Sequence, residues 1–511
     1  MVFDNKKSTI IFLIILIIIT ISLRFLWLNN TLLEGDMARD IEISKNIING
    51  KFMIQGIAGG IYEGGQQTFG PLMYYLIAAL LIIKNNPLSP VFFIALINSI
   101  AVIITYFFCK RFFNQKIAIF ASLLYSINPW VLYYSNMFWN PTFLPLLAIL
   151  FFYSLFIFII EKKDYGIVLC AFIIAITLHF HLTILFFIPS VFFALLLFRR
   201  DTKFKYYGYS LISFLVPLIP YLYTVIKNKS NILGPILFGT IRETSPYIQN
   251  IIEAIGIPVM ISTNYLGKYI YGSSFIFIHK SLYYFNFFIT GIMLILFLLS
   301  LIYITFLLTK KPYITENKKK YYLISLLLIF PILAHIIRFS NISPHYYIIL
   351  YPIQFIFYGI ILDFMITKFI NIKKILIAGF LIILLSNAGG YILMQNYITN
   401  NGATSGGVLS TPYSAKIDAL NYLTDKSKTD QINLAFFKSG KSFIYWFTLK
   451  NNNIKYTIIN NTSELKELKN TYLILDRKSY HRVRLEDHES NYFDNLHNKE
   501  TIKGIEIYYF E

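Results

Sequence analysis

Charge is what this chain has least of. Only 14% of its 511 residues are Asp, Glu, Lys or Arg, where soluble globular proteins carry about 25%. Two cysteines, Cys109 and Cys170, both sit inside apolar runs, so neither a disulfide framework nor a cysteine metal site is available. Acids are scarcer than bases, 26 against 45, for a formal charge of +19. In a soluble protein that excess would point to nucleic acid. Here 56% of residues are hydrophobic and 18% aromatic, which excludes a soluble enzyme and a disordered chain. The expected setting is a bilayer, with no nucleic-acid partner.

A hydrocarbon core of about 30 Å takes roughly 20 apolar residues in a helix. Eleven segments meet or nearly meet this: Ser8 to Leu28, Val91 to Cys109, Ile117 to Tyr134, Phe143 to Ile160, Gly166 to Leu178, Leu182 to Phe198, Tyr209 to Ile226, Phe285 to Leu308, Tyr321 to Ile337, Tyr347 to Ile366 and Ile375 to Leu393. The first follows Lys6 and Lys7 without a small-residue cleavage site and reads as a retained span. The run Pro71 to Ile83 is short, and charge decides its place. With that run in the interface, six groups at Lys6/Lys7, Lys110 to Lys116, Lys162/Lys163, Arg199 to Lys205, Lys310 to Lys320 and Lys368 to Lys374 fall on one side, nineteen bases against five acids. The opposite short loops around Trp139, His181 and Ser343 hold none. The positive-inside rule then predicts a multi-pass protein of the cell membrane, N-terminus cytoplasmic and the segment after Met394 outside. The 34 residues from Tyr165 to Phe198, with Pro189 and the pair His179/His181, are expected to break near the outer surface.

The fold class expected is an all-α polytopic membrane protein of about eleven spans with a small C-terminal α/β domain outside. Residues 1–394 form the membrane region, with its first outer loop at 29–90, and residues 395–511 form the tail. In the tail, helix-like segments (Ser414 to Leu423, Ser442 to Leu449, Ser463 to Leu468) alternate with strand-like ones (Ile432 to Phe437, Lys455 to Ile459, Thr471 to Leu475, Ile505 to Phe510), and Asn401 to Gly407 reads as the linker.

Chemistry is expected where polar groups meet the outer surface. After the first span, Asp36, Arg39 and Asp40 fall within one helical turn of a predicted amphipathic interfacial helix whose apolar face is Met37, Ile41, Ser44 and Ile48, with Gly50 as its stop. On spacing alone Asp36 is a helix cap paired with Arg39, or a base at the membrane surface.

Seven pieces occur in order along the N-terminal four-tenths of the chain: the first span, Gly35-Asp36-x-x-Arg39-Asp40, Gly70-Pro71-Leu72-Met73-Tyr74-Tyr75, Lys110-Arg111-Phe112-Phe113, Asn128-Pro129-Trp130, Trp139-Asn140-Pro141 and His181-Leu182-Thr183. This order resembles the GT-C glycosyltransferases of the protein O-mannosyltransferase and lipid A aminoarabinose transferase type. The resemblance implies an inverting glycosyltransferase moving a sugar from a polyprenyl-phosphate donor to a lipid, glycan or protein acceptor outside the cell, with Asp36 as catalytic base. In many relatives an acid follows that Asp; here Met37 does, leaving Asp40 as the nearest substitute.

The lipid phosphate that leaves would need cations or backbone donors, and Arg39, Lys84, Arg242, Lys268 and Arg338 are the candidates, with Arg338 the most economical because a bare cation at a span end needs a partner. Tyr74, Tyr75, Trp139, Asn140, His181 and His345 would line the outer cavity, each with a packing role as the alternative. His179, His181 and His345 also admit a divalent metal, although the first two lie on different helix faces; no cofactor is assigned. A secondary transporter, or a non-catalytic envelope protein with a partner-binding tail, are the readings from other classes.

Overall fold

The computed structural model describes residues 6–32, 35–53, 56, 58–62, 65–68, 70–199, 201–227, 247–263, 266, 280–337, 343–402, 411–426, 432–437, 454–459, 464, 468–476 and 496–510. Its helices begin with α1 (Lys6–Phe25), α2 (Gly35–Ile48), α3 (Leu72–Ile83), α4 (Leu88–Phe112), α5 (Gln115–Ile127), α6 (Pro129–Ser135), α7 (Leu144–Ile159), α8 (Tyr165–Leu178), α9 (Ile188–Phe198) and α10 (Phe204–Lys227). Further helices occupy Tyr247–Met260, Lys280–Thr309, Glu316–Ile337, Tyr351–Lys368 and Lys373–Asn401. Each of the eleven expected segments is a helix or a pair of helices. Seven are long and apolar enough to cross a membrane singly, and the Leu72–Ile83 run is a separate short helix.

Burial in α1 shows how these helices divide their faces. Phe12, Leu16, Thr20 and Arg24, four apart, are buried, whereas Ile11, Ile14 and Ile18 on the other side are about half exposed. A large exposed isoleucine surface of this kind belongs against lipid.

Two expected spans are not straight. The segment Ile117 to Tyr134 is broken at Asn128-Pro129 into α5 and α6, bent by 59°. Pro129 lacks an N–H, so it cannot continue the α5 ladder, but it suits the first position of α6. The Asn128 side chain caps α6 by accepting from the Val131 N–H at 3.0 Å, and the Arg24 guanidinium donates to the freed Ser126 carbonyl at 3.1 Å and to Thr20 O at 3.1 Å. The break expected between Tyr165 and Phe198 falls at His179 to His181, followed by a 3-10 turn at Leu182–Phe187 and then α9. Its two legs return to the same face, where Arg199 binds the Asp164 carboxylate and the Lys162 carbonyl.

That face collects the basic loops. Arg111 pairs with Glu161 at 2.6 Å, Lys163 with Glu161 at 3.0 Å, Lys162 with Glu316 at 3.7 Å and Lys116 with Asp363 at 3.7 Å. The ends of five segments far apart in sequence therefore meet in one charged layer, as the loop charges anticipated.

Near the other face, β1 (Ala58–Tyr62) and β2 (Gly65–Thr68) form an antiparallel hairpin inside the first loop, which the sequence did not signal. The C-terminal region carries a five-stranded mixed sheet of β3 (Ile432–Phe437), β4 (Ile454–Ile459), β5 (Thr471–Asp476), β6 (Leu496–Ile502) and β7 (Ile505–Phe510), in the order β4-β3-β5-β7-β6. β3 is parallel to β4 and β5, and β7 is antiparallel to β5 and β6. The Tyr413–Lys426 helix lays Ala415, Ala419 and Leu423, again four apart, on Leu434, Phe436 and Ile507. Four strands match the expected ones. β6 was not anticipated because Leu-His-Asn-Lys-Glu-Thr-Ile has little alternation; it exists as the edge partner of β7 across a Lys503-Gly504 turn with both φ positive, 46° and 81°. The helix expected at Ser442 to Leu449 lies outside the described residues, as does most of Ser463 to Leu468 and of the Asn401 to Gly407 linker.

The tail is tied to the start of the first loop. Tyr413 N–H donates to Thr31 O at 2.9 Å, Leu32 bridges Pro412, and the Asn30 amide donates to Gln395 Oε1 at 3.0 Å and Thr399 Oγ1 at 2.9 Å.

The Arg199–Asp164 pair is nearly buried, with side chains 4% and 14% exposed. Replacing Arg199 by Met leaves a carboxylate without its principal partner, a loss of about 3 kcal/mol. Thermal melting in detergent should show the R199M variant strongly destabilised and the D164N/R199M double variant restored most of the way.

Candidate functional site

The site begins with α2. Asp36 lies in its first turn, where a negative charge suits the helix dipole, and Gly50, at φ +86°, closes the segment. Met37, Ile41 and Ser44 are buried as expected, but Ile48 is exposed, so the packed face ends one turn early. The buried face also takes Asp40, whose side chain is 1% exposed, while Asp36 is 61% exposed.

Arg39 stands between these two carboxylates. Its Nη1 donates to Asp36 Oδ1 at 3.0 Å, and its Nε and Nη2 donate to Asp40 Oδ1 at 3.0 and 2.8 Å. Tyr74, from the first turn of α3, joins the group through Arg39. Burial pushes the Asp40 carboxyl up to about 6, against the pull of Arg39. The same burial draws the Arg39 guanidinium down, and the two carboxylates more than offset it, so its pKa stands above the ordinary value. The Tyr74 phenol is raised, by burial first and then by Asp40. Asp40 Oδ2 is buried with no hydrogen-bond partner among the described residues, so within them the pair is not saturated. Asp36 is the accessible acid of the group and Asp40 the enclosed one.

A second group lies at the break between α8 and α9 and at the turn before the Tyr351–Lys368 helix. The Asn140 amide donates to Phe180 O at 2.9 Å, and the Asn98 amide donates to Thr142 O at 3.0 Å. His181 Nδ1 accepts from the Thr183 N–H at 3.3 Å and caps the turn that follows. Trp139 packs on His345, with ring centroids 4.6 Å apart. Tyr346 sits among three imidazoles, at 4.2 Å from His345, 5.9 Å from His181 and 6.0 Å from His335. Tyr346 and His335 were not singled out in the sequence; Tyr346 could have been, as the neighbour of His345 in Pro344-His345-Tyr346-Tyr347, whereas His335 comes from inside another helix.

α3 links the two groups. At one end Gly70 packs so closely on His179 that a Cβ there would collide with the imidazole ring; one turn into the helix is Tyr74. His179 hydrogen-bonds Pro217 O through Nε2 at 3.0 Å, and burial holds its pKa below the usual value. Tyr75 belongs to neither group: its hydroxyl donates to Met53 O at 2.9 Å and accepts from Met53 N–H at 3.2 Å, fastening the loop after α2. Lys84 caps the far end of α3, and Arg242, Lys268 and Arg338 lie outside the described residues. Among the described residues no group of three or more His, Cys, Asp or Glu is placed to hold a metal ion; of the three histidines considered for one, His181 and His345 pack on Tyr346 and His179 bonds Pro217 O.

Residues 68–223, which include α3, His179, His181 and Pro217, match the family described as dolichyl-phosphate-mannose-protein mannosyltransferase. The fold matches ArnT from Cupriavidus metallidurans bound to undecaprenyl phosphate at 10% identity, with a TM-score of 0.60 over 99% of this chain and 98% of that one. The chain has a GT-C-like fold. The same ArnT in the apo state gives a TM-score of 0.57 at 10% identity over 98% and 97%. The oligosaccharyltransferase AglB from Archaeoglobus fulgidus gives 0.49 at 11% identity, over 100% of this chain and 75% of that one. No curated protein sequence matches.

The family match over residues 68–223 and the ArnT-like fold both point to a glycosyltransferase, and away from the transporter and the non-catalytic envelope protein.

Asp40 gives this group a measurable signature. A carboxyl whose folded pKa is raised stabilises the fold fully below its unfolded value near 4, and that contribution is lost as pH rises through about 6. Relative to the D40N variant, the wild-type protein should lose on the order of 3 kcal/mol between pH 4 and pH 6.5, read as diverging melting temperatures across that window and parallel ones above it.

Proposed function

We propose that this chain is an inverting glycosyltransferase that moves a sugar from a polyprenyl-phosphate donor to an envelope lipid, glycan or protein acceptor on the extracytoplasmic side, with Asp36 as the general base. The observation that carries the assignment is the division of labour around Arg39: of the two carboxylates it holds, Asp36 is open to an incoming hydroxyl and Asp40 is enclosed. An acceptor hydroxyl is a poor nucleophile at neutral pH. A carboxylate within about 3 Å takes its proton as the new bond to the anomeric carbon forms, and the bond to the lipid phosphate breaks from the opposite face. Attack opposite the leaving group inverts the anomeric centre.

Arg39 fixes the Asp36 carboxylate and, as a cation beside the reacting centre, also favours the departing phosphate. Asp40 holds the other side of the guanidinium, so it acts through Arg39. Tyr74 closes the group from α3, while Trp139, Asn140, His181 and His345 offer aromatic and polar surface at the second group for sugar or acceptor. Donor chemistry is supported by the undecaprenyl phosphate bound to ArnT. Orientation is supported by the basic layer on the opposite face, which the positive-inside rule places in the cytoplasm, leaving α2 and the tail outside. On this reading residues 1–394 are the transferase region and 395–511 an outer domain fastened to it at Thr31 and Leu32.

Asp36→Asn keeps size and helix position but removes the base. Transfer from a polyprenyl-phosphate sugar in membranes carrying the D36N variant should fall by about 10²-fold or more, with melting temperature near wild type because Asp36 is largely exposed. Transfer at the wild-type rate would rule out the base assignment.

A further inference from the structure

On the basic face, away from Asp36, the helices Lys280–Thr309, Glu316–Ile337 and Tyr351–Lys368 leave a cavity of about 250 Å³ whose walls include Tyr303, Tyr321, Asp363, Phe364, Thr367 and Lys368. Its position along the fold is fixed by the Tyr351–Lys368 helix. That helix has the His345 turn at its start and this cavity at its end, about 27 Å apart for 18 residues at 1.5 Å each. The cavity therefore lies across the membrane from the candidate catalytic group.

The chemistry of the walls is uneven. Asp363 is already engaged: it accepts from the Asn114 amide at 2.7 Å and from Thr367 Oγ1 at 3.3 Å, and Lys116 Nζ stands 3.7 Å from it. Lys368 is exposed and has no hydrogen-bond or ion-pair partner among the described residues. Lys320 lies over the Tyr321 ring, 5.4 Å from its centroid. Lys368 in the wall, Lys116 beside Asp363 and Lys320 over Tyr321 thus face a single carboxylate that is already satisfied, and the surplus is positive. Around the mouth the surface turns apolar. Phe306, one turn after Tyr303, is 59% exposed, and Phe369 and Ile370, directly after Lys368, are 47% and 73% exposed. A cation, a hydroxyl and tyrosines in the walls, with Lys116 behind Asp363 and exposed apolar residues at the rim, match a phosphate ester whose acyl chains continue into hydrocarbon. A free anion would have no use for that rim. Basic pockets between helices on this side of membrane proteins take anionic headgroups by the same logic.

We propose that this cavity binds the headgroup of an anionic phospholipid from the leaflet opposite the catalytic side, with Lys368 and Lys116 on the phosphate and the tyrosines packing on the glycerol. Tyr303 stacks on Phe364 at 4.1 Å and joins its helix to the Tyr351–Lys368 helix, so a lipid seated here fastens two membrane helices at their ends. Occupancy stabilises the bundle without touching Asp36.

Full-length protein purified in detergent would be melted with added phosphatidylglycerol, phosphatidylcholine or inorganic phosphate, and its retained lipids counted by native mass spectrometry. Phosphatidylglycerol should raise the melting temperature and remain bound to the wild-type protein. The K116Q/K368Q variant should need on the order of tenfold more of it for the same effect. If the double variant does not fold because the Lys116–Asp363 pair is lost, K368Q alone decides, since Lys368 pairs with nothing in the described fold. Equal response of wild type and variant, equal response to phosphatidylcholine, or full reproduction of the effect by inorganic phosphate would each overturn the proposal. None of these readouts depends on transfer activity, so they stand apart from the D36N test.

Discussion

Hydrocarbon offers no hydrogen bonds, so every peptide group inside the membrane region must find its partner within the chain. Most of this fold follows from that single requirement. Where helices are continuous it is met by the backbone itself. Where they break, a specific side chain has to step in: Asn128 at the start of α6, Arg24 at the end of α5, and His181 at the start of the turn before α9. Arg24 is the most telling. It is a fully buried cation at the end of an otherwise apolar stripe, and its partners are two carbonyls at 3.1 Å in place of a carboxylate. A positive charge at the carbonyl end of a helix is favourable, so the break in α5/α6 and the arginine in α1 make sense only together.

The breaks are also what create the site. A bundle of unbroken spans would present only tight turns to the outer surface. Breaking the chain at His179 to His181 and at the turn Pro344–Leu350 gives short lengths of polar backbone that Asn140, His181 and Tyr346 can organise. The catalytic group proposed around Arg39 rests on the same ground, since α2 is carried by α3, and α3 is seated on His179 through Gly70. Glycine is required there because any side chain would push the imidazole off its bond to Pro217 O.

Much of this was legible beforehand, for identifiable reasons. The spans could be read because lipid-facing helices need long apolar runs, and the shared face of the basic loops because charge is so rare here that its placement is informative. β3, β5 and β7 could be read because they are short, mostly apolar runs of β-forming residues, as buried strands of a mixed sheet are. The Asp36-Arg39-Asp40 triplet could be placed on one helical turn by spacing. Spacing could not say which carboxylate would be enclosed, because that depends on α3 arriving with Tyr74 from thirty-four residues further on. The bend in α5/α6 was missed although Asn128-Pro129 stood in plain view, since a proline inside an apolar run is also compatible with a kinked single span. Tyr75 was placed with the cavity by its neighbour Tyr74, yet adjacent helix positions point about 100° apart, and its hydroxyl serves Met53. β6 was missed because an edge strand is specified by its partner and its turn more than by its own residues.

The hairpin of α8 and α9 has a consequence for the lipid around it. α8 has only fourteen residues, a rise of about 21 Å at 1.5 Å per residue, against a hydrocarbon thickness of about 30 Å. Arg199 and Asp164 tie one end of the pair into the charged layer, so in a bilayer of that thickness the deficit would fall at the other end, beside His179 and Phe180. A helix too short for its bilayer can draw the surface toward itself, and the polar headgroup plane would then dip at that point. A long-chain lipid carrying a phosphate would find there a notch in the membrane, and its reactive end would descend to the level of the protein's own broken helices without having to be pulled out of the leaflet.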